Sequence, residues 1–205
     1  MTAATEFLDR LPIPILQAPM VGAAGVEMTA AVSGAGALGC LGAGALSPEE
    51  IETAAAAIRA RTGAPFVLNL FVVAPAAPSA EAVDAAIARL APWYAELGLP
   101  PPEAPKAYAP DFDAQFAALL RARPAAASFT FAALRADQAA ALKAAGVLVI
   151  GTATTAAEGR AWAEIGADAV CAQGVEAGGH RGHFLAETES SLVGNMALVA
   201  PSSRP

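Results

Sequence analysis

The sequence predicts an α/β fold in the form of an incomplete TIM-type (β/α) barrel, with about six of eight βα units. Short apolar runs alternate with helical patterns along the chain, which is typical of a parallel sheet. Polar residues also follow several of the apolar runs, at Asn69, Ser128, Thr152 and Gln173. Functional groups at many strand ends favour a barrel, because a doubly wound sheet would normally carry one glycine fingerprint after its first strand.

Composition and charge set the broad class of the protein. Hydrophobic residues make up 56% of the 205 residues and charged residues 15%, which excludes an intrinsically disordered chain. The net charge of −7, with only 12 Lys and Arg residues, argues against nucleic acid or an anionic membrane as a partner. Two cysteines cannot build a disulfide framework, so we expect a reducing, cytoplasmic compartment, and residues 1–10 lack the features of a signal peptide.

The first half of the chain contains three predicted strands, over 13–17, 38–41 and 66–71. The glycine-rich stretch 28–49, which is uncharged up to Glu49, is expected to form buried strands and tight turns rather than a membrane span. A helix begins after Ser47, where Ser47 and Glu50 form a capping box around Pro48, and it ends near Gly63. A longer amphipathic helix is predicted over 79–97. The candidates for its buried face are Val83, Ile87, Leu90 and Leu97.

The second half begins with a proline-rich connection over 100–110 and a helix over 112–122. Further strands are predicted over 125–131, 147–150 and 169–172, and a short helix over 137–145. Thr155 and Glu158 form a second capping box, which opens a helix that ends at Gly166. A complete barrel typically has eight strands and about 250 residues, so six strands leave the sheet with open edges.

The densest functional signal is the glycine-rich segment 173–183, which follows the last predicted strand and therefore lies at the carboxyl-terminal mouth of a barrel. Its four glycines allow backbone N–H groups to approach a ligand closely. Gln173 offers a donor and an acceptor, and His180 is suited to proton abstraction near neutral pH. His183 is the rival candidate for the base. A purely structural glycine loop with solvent-exposed histidines is the other interpretation.

Several segments, taken in order, resemble the nitronate monooxygenase family, formerly called 2-nitropropane dioxygenases. The segment Ala172 to Gly182, with its Gly178-Gly179-His180 core, carries the most specific match. The Ser-Phe-x-Phe-Gly element of the family is matched from Ser128, although Ala132 stands where glycine is usual. The other matching segments are 14–20, 69–71, 151–154, 166–170 and 192–199.

This resemblance implies an FMN-dependent TIM barrel and a set of site residues. Ala18, Pro19 and Met20 would lie beside the isoalloxazine ring. Asn69, Gln173 and Gly178 would form hydrogen bonds with FMN, Gly179 would lie beside it, and His180 would be the catalytic base. No metal site is predicted. Cys40 and Cys171, both in apolar strand context, are expected to be inert packing residues.

The match covers about residues 12 to 199, so we predict a partial FMN-dependent barrel domain over 1–199 and a non-matching tail over 200–205. The family resemblance implies that the last two strands and their phosphate-binding loops are missing, and hence low stability or dependence on a partner chain. The implied activity is oxidation of an alkyl nitronate by O₂ to a carbonyl product and nitrite. Two alternatives to this activity stay open: a flavin-dependent NAD(P)H reductase of a quinone or an enoyl thioester, and an inactive truncated homologue. The chain could also form a homo-oligomer.

Overall fold

The computed structural model describes residues 2–74 and 76–202. Five parallel strands form one sheet in the order β1-β2-β3-β4-β5, with helices between successive strands, which confirms the predicted α/β class. The strands are β1 (Gly39–Gly42), β2 (Phe66–Phe71), β3 (Ala126–Thr130), β4 (Leu148–Ala153) and β5 (Ala169–Ala172). The helices are α1 (Ala3–Asp9), α2 (Val26–Gly34), α3 (Pro48–Arg61), α4 (Ala80–Glu96), α5 (Phe112–Ala122), α6 (Ala136–Ala144), α7 (Ala156–Glu164) and α8 (Asn195–Ser202), with a 3-10 turn at Glu189–Ser191.

The predicted first strand, 13–17, is reduced to a single bridge between Leu16 and Leu38, and this corrects the expectation of six strands. Its pairing continues through a side chain instead of the backbone. The carboxamide of Gln17 accepts from the Cys40 N–H at 3.3 Å and donates to the Cys40 carbonyl at 3.1 Å. Pro19 has no N–H to extend the ladder beyond this point, which accounts for the short pairing.

The sheet separates two apolar layers. The larger core lies between the sheet and the helices and includes Leu68, Phe129 and Trp162. A smaller cluster of Leu38, Cys40, Val67 and Ala126 covers the other face of the sheet. The predicted strands 66–71 and 169–172 match the observed bounds, whereas β4 runs three residues past the predicted end at Ile150.

Helix α3 forms as its sequence predicts. The Ser47 hydroxyl accepts from the Glu50 N–H at 3.2 Å, and the Glu50 carboxylate accepts from the Ser47 N–H at 2.8 Å. Both bonds satisfy N–H groups that a helix start leaves without intrahelical partners. The helix then buries Ile51 and Ile58 against the sheet, and α5 packs beside it.

Helix α4 corrects an expectation. Its bounds match the prediction and the Ser79 hydroxyl caps it, but none of its residues is buried. Leu90 is 46% exposed, and Leu97, at its C-cap, is 72% exposed, so the predicted buried face does not meet the core. Helical periodicity shows that a face is apolar and leaves open what covers it.

The sequence patterns do not predict helices α1 and α2. Helix α2 occupies part of the stretch that was expected to form strands and turns. This helix is built from small residues and approaches β1 closely, since a Cβ at Gly39 would collide with the Thr29 carbonyl oxygen. The Ser33 hydroxyl also accepts from the Gly39 N–H at 3.1 Å. Across the described part of the chain, no helix has both the length and the apolar character that a membrane crossing requires.

The two cysteines differ in environment. Cys40 is fully buried, as expected, and burial raises the pKa of its thiol to about 12 although a hydrogen bond with Ser128 opposes the shift. Cys171 corrects the expectation of a packing residue, since it is exposed on β5, an edge strand of the sheet. Helix α8 continues through residues 200–202 of the predicted tail, and residues 203–205 lie outside the described part.

Candidate functional site

The carboxyl ends of β1 to β5 meet at one edge of the sheet, which we call the mouth. Here Asn69 of β2 stands in register with Gly42 of β1 and Ser128 of β3. Its Nδ2 donates to the Ser128 hydroxyl at 2.9 Å and to the Ser128 carbonyl at 3.2 Å. These bonds fix the buried Asn69 side chain and leave its Oδ1, with two lone pairs, as the group suited to accept from a ligand.

Gln173 follows β5 directly and closes the glycine loop on itself. Its Oε1 accepts from the Gly182 N–H at 2.7 Å, and its Nε2 donates to the His180 carbonyl at 2.9 Å. A carboxamide has two N–H donors and two lone pairs, so one of each is available for a ligand. Gln173 therefore determines where the backbone carrying His180 lies.

His180 is exposed at the mouth, and its imidazole contacts Phe131 edge to face. The two ring centroids lie 5.9 Å apart and the ring planes meet at 81°. Within residues 2–74 and 76–202, neither nitrogen of the His180 ring has a hydrogen-bond partner. Both nitrogens are therefore available to exchange a proton with a bound molecule.

His183 has a different environment, although it lies only three residues further along the chain. Its Nδ1 donates to the Ala186 carbonyl at 2.7 Å, because a carbonyl oxygen can only accept. In the neutral ring, its Nε2 then accepts from the Thr188 hydroxyl at 3.1 Å. Both nitrogens are engaged within the chain, which makes His183 a weaker candidate for the base than His180.

Arg181 is a structural residue of the glycine loop, because its guanidinium is engaged within the chain. Its guanidinium donates to the carbonyls of Gln173 at 2.6 Å and Gly174 at 2.9 Å. It also donates to the hydroxyl of Ser191 at 3.3 Å and to the carbonyl of the same residue. The side chain thus ties the start of the glycine loop to the 3-10 turn.

Glu158 is a buried carboxylate that lies behind the glycine loop. The sequence pattern assigns it only to a capping box. The predicted box forms in one direction: the Thr155 hydroxyl accepts from the Glu158 N–H at 3.3 Å. The carboxylate itself accepts from the N–H groups of Phe184 at 2.6 Å and Leu185 at 3.0 Å through Oε1. Its Oε2 accepts from the N–H and the hydroxyl of Thr154, each at 2.7 Å.

The pKa of Glu158 reflects these contacts. Burial by itself raises the pKa of the carboxyl, but the hydrogen bonds from Leu185, Phe184 and Thr154 stabilise the ionised form and hold the pKa below its usual value of 4.5. Sequence reasoning missed this role. The acidic residue three positions after Thr155 was visible, but its contact with residues 184 and 185 depends on tertiary structure.

The remaining predicted cofactor residues lie on two sides of the mouth. The segment at Met20 packs on the end of β1, since a Cβ at Gly42 would lie 2.9 Å from the Val21 nitrogen. Ala18 and Met20 are exposed there and Pro19 is half-buried. In the glycine loop, a Cβ at Gly178 or Gly179 would meet no heavy atom within 4 Å, and Gly179 has a φ of +81° that favours glycine.

Two cavities lie at the opposite edge of the sheet, where the strands begin. One has a volume of about 450 Å³ and is lined by residues that include Arg59, Phe66 and Arg123. The other, of about 310 Å³, lies beneath α1. Arg59 donates to the Arg123 carbonyl at 2.9 Å and so satisfies a carbonyl at the end of α5. The larger cavity is thus bordered by a helix cap, and neither cavity includes a residue of the predicted site.

Comparison with known proteins identifies the family of the chain. The model of the nitronate monooxygenase family matches residues 4–202. A nitronate monooxygenase of Pseudomonas aeruginosa is 40% identical over 189 residues, which are 91% of this chain and 54% of that protein. A nitronate monooxygenase of Paraburkholderia phytofirmans is 37% identical over 91% of this chain and 52% of its own length. The chain therefore spans about half the length of the curated relatives that it matches.

Solved structures support the fold. A nitroalkane oxidase from Streptomyces ansochromogenes superimposes with a TM-score of 0.83 and 37% identity, covering 96% of this chain and 57% of that one. A mutant of FabK from Thermotoga maritima superimposes with a TM-score of 0.64 and 27% identity over 90% of this chain and 50% of that one. Together with the parallel α/β topology, these likenesses confirm the predicted class of a partial (β/α) barrel.

Proposed function

The chain belongs to the nitronate monooxygenase family, and on that basis we propose that it takes part in the FMN-dependent oxidation of alkyl nitronates by O₂ to a carbonyl product and nitrite. One observation carries the proposal for this chain. An exposed imidazole with two unengaged nitrogens, His180, lies at the mouth, where (β/α) barrels hold their reacting groups. The family match supports the substrate class.

The residues at the mouth fit a flavin ring. The isoalloxazine edge carries both donors and acceptors, and Asn69 and Gln173 offer a matching carbonyl oxygen and carboxamide. Gly178 and Gly179 are exposed and free of crowding, so a planar ring can approach their backbone. Ala18, Pro19 and Met20 would supply the apolar side of the site. FMN, when bound, supplies the electron transfer between the nitronate and oxygen.

His180 is proposed as the base for one class of substrate. A neutral nitroalkane must lose its α-proton before it can be oxidised, and the unengaged imidazole can accept that proton. A nitronate has already lost the proton, so its oxidation does not require the base. Gln173 holds the backbone of His180 through the bond to its carbonyl, which fixes the position from which the imidazole acts.

The test compares His180→Asn with the wild-type chain on a neutral nitroalkane and on the same compound converted beforehand to its nitronate. Loss of a general base is expected to lower kcat/KM for the nitroalkane by about 100- to 10,000-fold and to leave nitronate oxidation largely unchanged. Nitrite release and oxygen uptake measure both reactions. His183→Asn is the matched control, and it should leave the ratio between the two substrates at the wild-type value.

Equal losses on both substrates would contradict the assignment of His180. The same preparation distinguishes the two alternatives. Rapid bleaching of a flavin on anaerobic mixing with NADH would favour a flavin-dependent NAD(P)H reductase of a quinone or an enoyl thioester. A colourless protein that does not take up FMN would favour an inactive homologue. The cytoplasm remains our proposal for its compartment, supported by two cysteines that are unpaired in the structure.

A further inference from the structure

The residue that follows β3, Phe131, has an unusual backbone. In the described part of the chain, two residues other than glycine have a positive φ, Arg123 at 45° and Phe131 at 80°. Arg123 is the C-cap of α5, where a left-handed residue commonly ends a helix. Phe131 has no such helix end to account for it. A bulky residue persists in this region only where its surroundings fix it, and such residues cluster at functional sites.

Two aromatic contacts fix the Phe131 ring. On one side it packs against Phe71 of the neighbouring strand, with ring centroids 5.0 Å apart. The Phe71 ring in turn packs against Gly44. Any other residue at position 44 would crowd this ring, since a Cβ there would lie 2.5 Å from it. On the other side the Phe131 ring meets His180 edge to face. The left-handed backbone thus places one aromatic ring between the end of the sheet and the imidazole.

The His180 ring depends on this contact for its orientation. Its backbone is held by Gln173, but no described residue forms a hydrogen bond with its ring nitrogens. A hydrogen bond to one nitrogen would orient the ring and block part of its proton-exchange capacity, as it does in His183. An edge-to-face contact can orient the ring and leave both nitrogens available.

We propose that Phe131 is a positioning residue for His180: its left-handed backbone and its packing on Phe71 hold an aromatic ring against the imidazole and so aim the base at the substrate. This proposal rests on the proposed function of His180. Misplacement of a base by a fraction of its reach lowers the rate of proton transfer. Oxidation of a substrate that is already deprotonated does not depend on that aim.

The experiment uses Phe131→Leu, Phe131→Tyr and the control Phe129→Leu. Phe129 has the same size, lies two residues away, is fully buried and stacks on Trp162, so its substitution tests the effect of general destabilisation. We expect Phe131→Leu to lower kcat/KM for a neutral nitroalkane about 10-fold and to leave that for the nitronate within about twofold. Phe131→Tyr should restore the wild-type ratio, and Phe129→Leu should leave the ratio unchanged.

An NMR measurement separates this proposal from the proposed function. The χ1 angle of His180, measured from three-bond couplings, is expected to become averaged over rotamers in Phe131→Leu and to stay fixed in Phe129→Leu, with His183 as an internal reference. If the wild-type chain oxidises neither substrate, the proposed function fails and the NMR result alone decides the proposal. A His180 χ1 angle that stays fixed in Phe131→Leu would overturn it, and so would an equal loss on both substrates in Phe131→Leu.

Discussion

The glycine loop after β5 has two parts that differ in how the chain holds them. Residues 175–180, which we call the exposed arm, are all exposed, and the ring of His180 makes no hydrogen bond to a described residue. Residues 181–191, the anchored arm, are tied to the rest of the chain through Arg181, Gly182, His183 and the backbone of residues 184 and 185. The exposed arm is also held, by the Val175 N–H on the Val193 carbonyl and by Gln173 on the His180 carbonyl, but its His180 ring is left unengaged, whereas the His183 ring of the anchored arm is bound at both nitrogens.

The anchors of the anchored arm come from the rigid part of the fold. Glu158 lies in the first turn of α7, and Gln173 directly follows β5. The Phe184 ring meets Trp162 edge to face at 6.3 Å, and Trp162 stacks on Phe129 in the main core. The position of the loop is therefore set by the core, even though its glycines alone would allow many conformations.

Among the substitutions that test the difference between the two arms, Glu158→Ala is expected to destabilise the anchored arm most. The change leaves the N–H groups of Thr154, Phe184 and Leu185 without an acceptor at a site where Glu158 is fully buried. We expect a loss of about 3 kcal/mol in the free energy of unfolding. Urea unfolding measures the loss, and hydrogen exchange should show faster exchange at residues 184 and 185.

Glu158→Gln is a sharper version of the same test. Each carboxylate oxygen accepts two hydrogen bonds, so an amide in its place turns an NH₂ toward two donors. We expect a loss of about 2 kcal/mol. Glu164→Ala, an exposed position on the same helix, is the control and should change stability by less than about 0.5 kcal/mol. Similar losses at both positions would show that the anchored arm does not depend on this carboxylate.

Protonation of the Glu158 carboxylate at low pH should also destabilise the anchored arm. The effect should be smaller than that of Glu158→Ala. The pKa of Glu158 is lowered in the folded chain, so its contribution to stability is complete above the usual value of 4.5 and is lost as the pH falls through the lower folded value. The difference in unfolding free energy between the wild-type chain and Glu158→Gln should therefore shrink as the pH falls from about 5 to about 3. A difference that stays constant over this range would contradict the proposed ionisation.

Patterns that depend on neighbouring residues allowed much of the fold to be predicted. The capping box at Ser47 and the strand 66–71 involve local periodicity and local hydrogen bonds, and both are confirmed. Helix α2 was missed because its small residues carry almost no amphipathic pattern, and its place depends on the close approach to Gly39. The exposed face of α4 was mispredicted because periodicity does not identify a covering surface.

The site was predictable to a lesser extent, for a related reason. The segment 173–183 was visible because it is continuous in sequence, and its position after a strand placed it at the mouth. The contacts that distinguish His180 from His183 were not visible. They involve Phe131, 49 residues before His180 in the chain, and the turn at Ala186 and Thr188, whose conformation the sequence does not specify.

Substitutions of the two histidines should have the smallest effects on the free energy of unfolding. His183→Ala removes the bonds to the Ala186 carbonyl and the Thr188 hydroxyl, and we expect it to cost about 1 kcal/mol in the free energy of unfolding. His180→Ala removes an exposed ring that makes one aromatic contact, and it should cost about 0.5 kcal/mol or less. Paired urea unfolding curves measure both values. If His180 were a structural residue, His180→Ala would destabilise the loop more than His183→Ala. That reversed order of the two losses would remove the distinction between the exposed and anchored arms.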